Sequence, residues 1–179
     1  MRTKDLLKLM KSEKYYHLSI KRRRKPRKIT AQKIDFKPYG FWFGLGGSWL
    51  KMLLKKKITG GVFGYDMQNY LYEIDIDKEK MFVINSKKQV KEFSKIFLKG
   101  KFRGRDIWQK LASKYDGFMV CKWVESWAPK ASSNEYMRYE FIWYLDLLAV
   151  SGVVWNPRAI KSIKLIAKRN KKDGLWYRA

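Results

Sequence analysis

Apolar and polar residues alternate strictly in the segment YLYEIDI, residues 70–76. One side of the extended chain carries the residues expected to face the core, Tyr70, Tyr72, Ile74 and Ile76. The other side carries Leu71, Glu73 and Asp75. This period is typical of a half-buried β-strand with its apolar side on the core. The following MFVIN predicts a second strand, and the intervening DKEK predicts a hairpin turn that pairs the two.

Helical spacing of apolar residues replaces this alternation in four other segments. The predicted helices cover Lys4–Met10, about Ser48–Lys56, residues 86–100 and a segment that begins at Asp106. Ser48, Ser86 and Asp106 are the expected N-terminal caps, because their side-chain oxygens can accept hydrogen bonds from free first-turn amides, and Gly100 is the expected C-terminal cap. The residues expected to face the core in the last two helices are Val90, Phe93, Ile96, Phe97, Ile107, Trp108 and Leu111.

The remaining apolar runs complete the expected fold. They predict strands at Tyr15–Ile20, Phe41–Phe43, Gly117–Lys122, part of Tyr139–Leu148, Gly152–Trp155 and Ser162–Ala167. The combination indicates an α+β fold, with antiparallel sheets and a few short helices segregated on them. A chain of 179 residues with 46% apolar content can bury one core and is short for two.

We expect three regions along the chain. Residues 1–37 hold the first helix, the first strand and an Arg/Lys-rich arm, residues 38–167 hold the main domain to which strand 15–20 adds, and residues 168–179 form a basic tail. The single cysteine, Cys121, cannot form an internal disulfide, and no His/Cys grouping predicts a metal site. Uncharged runs fall short of the ~18 to 20 residues of a membrane span, so none is predicted.

Positive charge is the outstanding compositional feature, with 41 Lys and Arg against 16 Asp and Glu for a net charge of +25. Such a surplus indicates a polyanionic partner, a membrane surface or an acidic assembly. The candidate polyanion-binding residues are Lys21, Arg22, Arg23, Arg24, Lys25, Arg27, Lys28, Arg103, Arg105, Lys168, Arg169, Lys171 and Lys172. Aromatic residues do not interleave with them along the chain, so only sequence-independent, salt-sensitive contact with phosphates is indicated.

Three short motifs carry a resemblance to a viral family. The segments KPYGFWFGLGGSW, KYDGF and SGVVWN follow one another in the order of KPxGxWxxxGxxW, YDG and SGxxWN. This pattern resembles an uncharacterised family of large DNA viruses and phages, over most of residues 15–167. The resemblance implies a component of the virion, present in the host cytoplasm or nucleus during assembly, with other capsid or virion proteins as partners.

A second resemblance rests on YYHLSI, GFWFG and SGVVWNPRAI, which are similar in order to motifs of ADP-ribosyltransferase-like domains. It implies NAD as a cofactor, with His17 on a ribose hydroxyl, Ser19 in support, and Trp42 or Phe43 stacked on nicotinamide. The family's Glu, which stabilises the charge that develops as nicotinamide leaves, is replaced by Ser151. An active enzyme would need a substitute carboxylate, for which Asp146 is the candidate.

Three hypotheses account for these features to different extents. The first is a minor capsid protein on a degenerate transferase-like domain, without a cofactor or established catalytic residues, whose basic extensions bind neighbouring acidic capsid subunits. The second is an NAD-dependent mono-ADP-ribosyltransferase that uses His17, Ser19 and Asp146. The third is a virion protein that binds nucleic acid through its phosphates. The first hypothesis explains the charge, the missing Glu and the viral motifs together.

Overall fold

The computed structural model describes residues 1–23, 26–32, 38–55, 68–99, 104–127, 142–145, 147 and 149–179. The helices are α1 Thr3–Leu6, α2 Ser48–Lys55, α3 Lys87–Lys99, α4 Gly104–Lys114 and α5 Ile142–Leu145. The strands are β1 Tyr15–Ser19, β2 Phe41–Leu45, β3 Tyr70–Ile76, β4 Met81–Ile84, β5 Gly117–Val120, β6 Ser151–Val154, β7 Ile160–Arg169 and β8 Trp176–Arg178. These elements confirm the α+β class.

The strands of the described residues form one sheet in the order β4-β5-β6-β2-β1-β3-β7-β8. All neighbours are antiparallel except β4 and β5, which are parallel. A parallel pair cannot be joined by a tight turn, and the connection from β4 to β5 accordingly contains α3 and α4. The predicted hairpin between residues 70–76 and MFVIN is therefore wrong, because these two strands are not neighbours.

The short connection between β3 and β4 forces the sheet to curl. The two strands lie five positions apart in the sheet, which corresponds to about 24 Å in a flat sheet at about 4.8 Å per strand. The connection Asp77–Lys80 spans five Cα–Cα steps of about 3.8 Å, or about 19 Å when fully extended. Ile76 and Met81 meet in one buried cluster with Phe43 and Met119. We call this concave side of the sheet the inner face.

The opposite side of the sheet, the helix face, is covered in two halves. Tyr16 and Leu18 of β1 pack with Leu50 of α2 and with Trp176. On the other half, buried side chains of α3, α4 and α5 surround Phe118 and Val153. The helix face explains one departure from the predicted pattern, since Leu71, expected to face outward, is 0% exposed against the first half.

The described C-terminal half departs from the predicted elements in two places. The sequence predicts a strand in part of Tyr139–Leu148, but Ile142–Leu145 is helical, and the neighbours Trp143 and Tyr144 are both buried within one cluster. A strand would direct these adjacent rings to opposite faces. Residues 168–179, expected as a tail, contain β8, and its Trp176 is 1% exposed.

The predicted helix ends are correct only in part. Ser86 caps α3, since its hydroxyl accepts a 3.3 Å hydrogen bond from the amide of Gln89. Ser48 is instead the first residue of α2, and its hydroxyl donates to the carbonyl of Val150. Asp106 is the third residue of α4 rather than its cap. Ile96, predicted to face the core, is 57% exposed, and Gly100 lies outside the described residues.

Replacement of Gly152 tests the packing of β6 on β2. A Cβ atom at this position would lie 2.2 Å from the ring of Phe43 on the inner face. Because a buried ring in a packed sheet cannot move away freely, we expect Gly152→Ala to lower the free energy of unfolding by about 1–3 kcal/mol. Denaturant unfolding measures the change, with Ser113→Ala on the exposed side of α4 as the control. Equal stability of the two variants would contradict this packing.

Candidate functional site

His17 lies at the centre of β1 with its ring on the inner face. The ring packs on Phe41 at a centroid distance of 4.0 Å and lies 6.2 Å from the ring of Tyr72. Its Nδ1–H donates to the carbonyl of Trp42 at 2.7 Å. Nε2 is buried and has no hydrogen-bond partner among the described residues. Burial disfavours the charged ring and lowers the pKa of His17 to about 4, so the imidazole is neutral at pH 7.

The side chain of Ser19 forms hydrogen bonds with the turn that follows β1. Its hydroxyl donates to the carbonyl of Lys21 at 2.7 Å and accepts from Nε of Arg23 at 3.3 Å. The amide of Arg23 in turn donates to the hydroxyl of Tyr72 at 2.7 Å. These contacts fold the chain after β1 back over the inner face beside His17.

Ser151, at the position of the transferase-like Glu, belongs to the helix face. Its hydroxyl donates to the carbonyl of Ala149 at 2.8 Å and accepts from Nε1 of Trp49 at 2.6 Å. The next residue, Gly152, faces the inner side against Phe43. A side chain at position 151 therefore projects from the face of the sheet opposite to His17.

The residues assigned by the transferase resemblance are thus divided between the two faces. The three motif strands are neighbours, because β1 and β6 both flank β2. His17 and Phe43 nevertheless point to the inner face, whereas Trp42 packs on the helix face, its ring stacked 6.2 Å from that of Trp49. Asp146 lies outside the described residues.

The YDG and SGxxWN motifs are bound to each other around Asp116, whose side chain is 4% exposed. Its Oδ1 accepts from Nδ2 of Asn156 at 3.0 Å, and its Oδ2 accepts from Nε of Arg158 at 2.5 Å. The backbone carbonyl of Asp116 also accepts from the amides of Trp155 and Asn156. Hydrogen bonding to the carboxylate raises the pKa of Arg158. The signal in the sequence for this role of Asp116 is a lone carboxyl directly before the apolar run of β5.

Two glycines of the viral motifs, one in KPxGxWxxxGxxW and one in YDG, lie at close contacts between strands. A Cβ at Gly117 would lie 2.5 Å from the carbonyl of Val153, and one at Gly40 would lie 2.8 Å from the carbonyl of Val154. Backbone atoms cannot give way as a flexible side chain can. The viral motifs therefore coincide with the packing and hydrogen bonding that hold β2, β6 and β5 together.

Two basic clusters that are far apart in sequence meet at one end of the sheet. Ser19, just before the first cluster, pairs with Tyr70 of β3, and Tyr70 pairs with Lys168 of β7. Asn69 joins the two segments, since its Nδ2 donates to the carbonyl of Ile20 and its own carbonyl accepts from the amide of Arg169. The exposed cations at this basic end are Lys21, Arg22, Arg23, Lys168, Lys171 and Lys172.

The arm that follows the first cluster is attached to the domain by backbone contacts. The amide of Ile29 donates to the carbonyl of Trp155 at 2.8 Å, and Gln109 of α4 bonds the carbonyl of Thr30 and the amide of Gln32. The side chains of Arg27 and Lys28 are exposed. Among the described residues no carboxylate forms an ion pair with either of them.

The structure describes the other predicted basic residues only in part. Arg105 lies at the start of α4. Arg24, Lys25 and Arg103 lie outside the described residues. Cys121, predicted to be a small buried residue, is half-buried, and burial raises the pKa of its thiol.

In the part of the chain that the structure describes, no three His, Cys, Asp or Glu side chains are grouped to hold a metal ion, and none of its helices is long and apolar enough to cross a membrane. Comparison of the chain with protein-family models, curated proteins and solved structures found nothing similar.

The buried His17 predicts a pH dependence of stability. Its folded pKa of about 4 lies below the unfolded value of 6.5, so the unfolded state binds more protons between these values. Stability is full above pH 6.5 and falls as the pH drops toward 4, by about 3 kcal/mol from this group alone. We expect the difference in unfolding free energy between wild type and His17→Phe to change by this amount between pH 7 and pH 4. Comparison with the variant removes the pH dependence that arises from carboxylates, because both proteins share it. A difference that does not change with pH would show that folding does not lower the pKa of His17.

Proposed function

We propose that this chain is a non-catalytic structural component of the particle of a large DNA virus, a minor capsid protein that binds acidic surfaces of neighbouring subunits through its basic arm. The virion setting rests on the viral motif resemblance. The observation that carries the structural role is that side chains of the motifs bind one another, since Asp116 accepts hydrogen bonds from Asn156 and Arg158.

The distribution of the candidate catalytic groups supports this proposal. His17 and Ser151 project from opposite faces of the sheet, and the hydroxyl of Ser151 is held by Trp49 and Ala149. A transferase needs its ribose-binding group and its charge-stabilising group within reach of one bound substrate, which groups on opposite faces of a sheet cannot provide. The neutral hydroxyl also provides less stabilisation of developing positive charge than a carboxylate does.

The geometry of the arm supports an acidic partner. Attachment of its backbone at Ile29 and Gln32 reduces the conformational entropy that binding would otherwise have to overcome. Arg27 and Lys28 are presented outward from this ordered segment without a carboxylate partner among the described residues. A complementary acidic surface would both steer association and fix its register.

Incorporation of variants into virus particles tests the proposal. We expect the Arg27→Glu, Lys28→Glu double variant, supplied in trans with a tag, to be depleted at least about tenfold from purified, nuclease-treated particles, since two charge reversals at a complementary interface cost well over 1.4 kcal/mol. The control is Lys91→Glu with Lys95→Glu on the exposed side of α3, which changes the net charge equally. Quantitative mass spectrometry of the particles measures both.

Three results would contradict the proposal. The first is equal incorporation of the two double variants, and the second is absence of the wild-type chain from particles. The third is hydrolysis of NAD by recombinant protein that is lost in His17→Ala, which would make the chain a transferase. A folded wild-type protein, verified by its cooperative unfolding, is the sample for the NAD assay.

A further inference from the structure

Aromatic and cationic side chains that are far apart in sequence form one row across the end of the sheet. Ser19 of β1 pairs with Tyr70 of β3, Tyr70 with Lys168 of β7, and Lys168 with Tyr177 of β8. Directly paired residues of neighbouring strands point to the same face, which is here the inner face that also carries His17. The guanidinium of Arg23 extends the row, since its Nε lies 3.3 Å from Oγ of Ser19.

The members of this row alternate in chemistry and are accessible. Arg23 and Lys168 are exposed, Tyr177 is 45% exposed and Tyr70 is half-buried. We call Arg23, Tyr70, Lys168 and Tyr177 the strip. From Ser19 to Tyr177 the strip crosses three strand spacings, about 14 Å at about 4.8 Å each. Aromatic and basic residues, which do not alternate along the sequence, therefore alternate in space across the strip.

The charge around the strip is strongly positive. Lys21 and Arg22, which precede Arg23 in the chain, are exposed, and Lys171 and Lys172 lie in the turn between β7 and β8. One acidic group contacts the strip among the described residues: Oδ2 of Asp173 accepts from the Tyr177 hydroxyl at 2.6 Å. This hydrogen bond fixes the orientation of the ring and raises the pKa of Tyr177, so the ring remains a neutral stacking surface.

We propose that the strip binds single-stranded nucleic acid, with bases stacked on Tyr70 and Tyr177 and phosphates on Lys168 and Arg23. Unpaired bases expose π-faces that stack on aromatic side chains at sites without sequence preference, and cations beside those aromatics follow the backbone. An acidic peptide would use the cations but gain nothing comparable from the two tyrosines. A duplex would keep its bases stacked away from the rings. Arg27 and Lys28 are not part of the strip, so variants of the strip test this binding apart from the proposed docking to a capsid neighbour.

Fluorescence anisotropy with a labelled oligothymidylate tests the strip in the full-length protein. We expect Tyr177→Ala to weaken binding roughly tenfold through lost stacking, and Lys168→Gln to weaken it several-fold while lowering the slope of log K against log salt concentration by roughly 1. Two matched controls remove the same groups elsewhere. Lys164→Gln removes a charge on the helix face of the same strand, where its partner is Glu73, and Tyr39→Ala removes a tyrosine that is 49% exposed.

Each outcome of this experiment decides the proposal. Selective losses at the strip, with weaker binding of a duplex of the same sequence and no competition by poly-glutamate, support it. Equal effects of Lys168→Gln and Lys164→Gln, or an unchanged affinity in Tyr177→Ala, overturn it and leave only diffuse attraction by net charge. Competition by poly-glutamate at equal charge concentration also overturns it and makes the strip an acidic-protein surface.

Discussion

The length of the connection between β3 and β4 is the constraint on which the rest of the structure depends. Because Asp77–Lys80 is too short to cross a flat sheet, the sheet curls and buries its inner face on itself. The helices are then confined to the opposite face. This division sets the surroundings of the described candidate residues in the strands, since neighbours along a strand enter different environments. Tyr16 contacts the helix-face cluster, and His17 contacts Phe41 on the inner face.

The inner face near His17 and the helix face near Ser151 consequently act as separate environments. Burial on the inner face keeps His17 neutral, and the indole of Trp49 keeps Ser151 hydrogen-bonded on the other side. Asp116 anchors the opposite end of β6 through Asn156 and Arg158. The hydrogen bonds of the motif side chains hold strands together. The side chains of Arg27 and Lys28, in contrast, are exposed to solvent.

The local pattern of apolar and polar residues predicted those strands and helices whose buried side can be recognised from their own sequence. The alternation at residues 70–76, the apolar run of β2 and the amphipathic α2 all appear close to their expected bounds. Pairing was harder to predict, because the partner of β4 is β5, beyond two intervening helices. The contact of Trp49 with Ser151 joins residues 102 positions apart, so no local signal could place Ser151 on the helix face. Similarly, β8 is three residues long within a basic segment, and only its contacts with β7 make it a strand.

Zero-length cross-linking in intact particles tests most directly whether the ordered arm faces an acidic neighbour. A carbodiimide joins lysine amines to carboxylates that are already in ion-pair contact. The account predicts that Lys28 is joined to Asp or Glu of a capsid subunit, whereas Lys91 and Lys95 of α3 are not. Cross-links confined to α3, with Lys28 unmodified in particles that contain the chain, would contradict it.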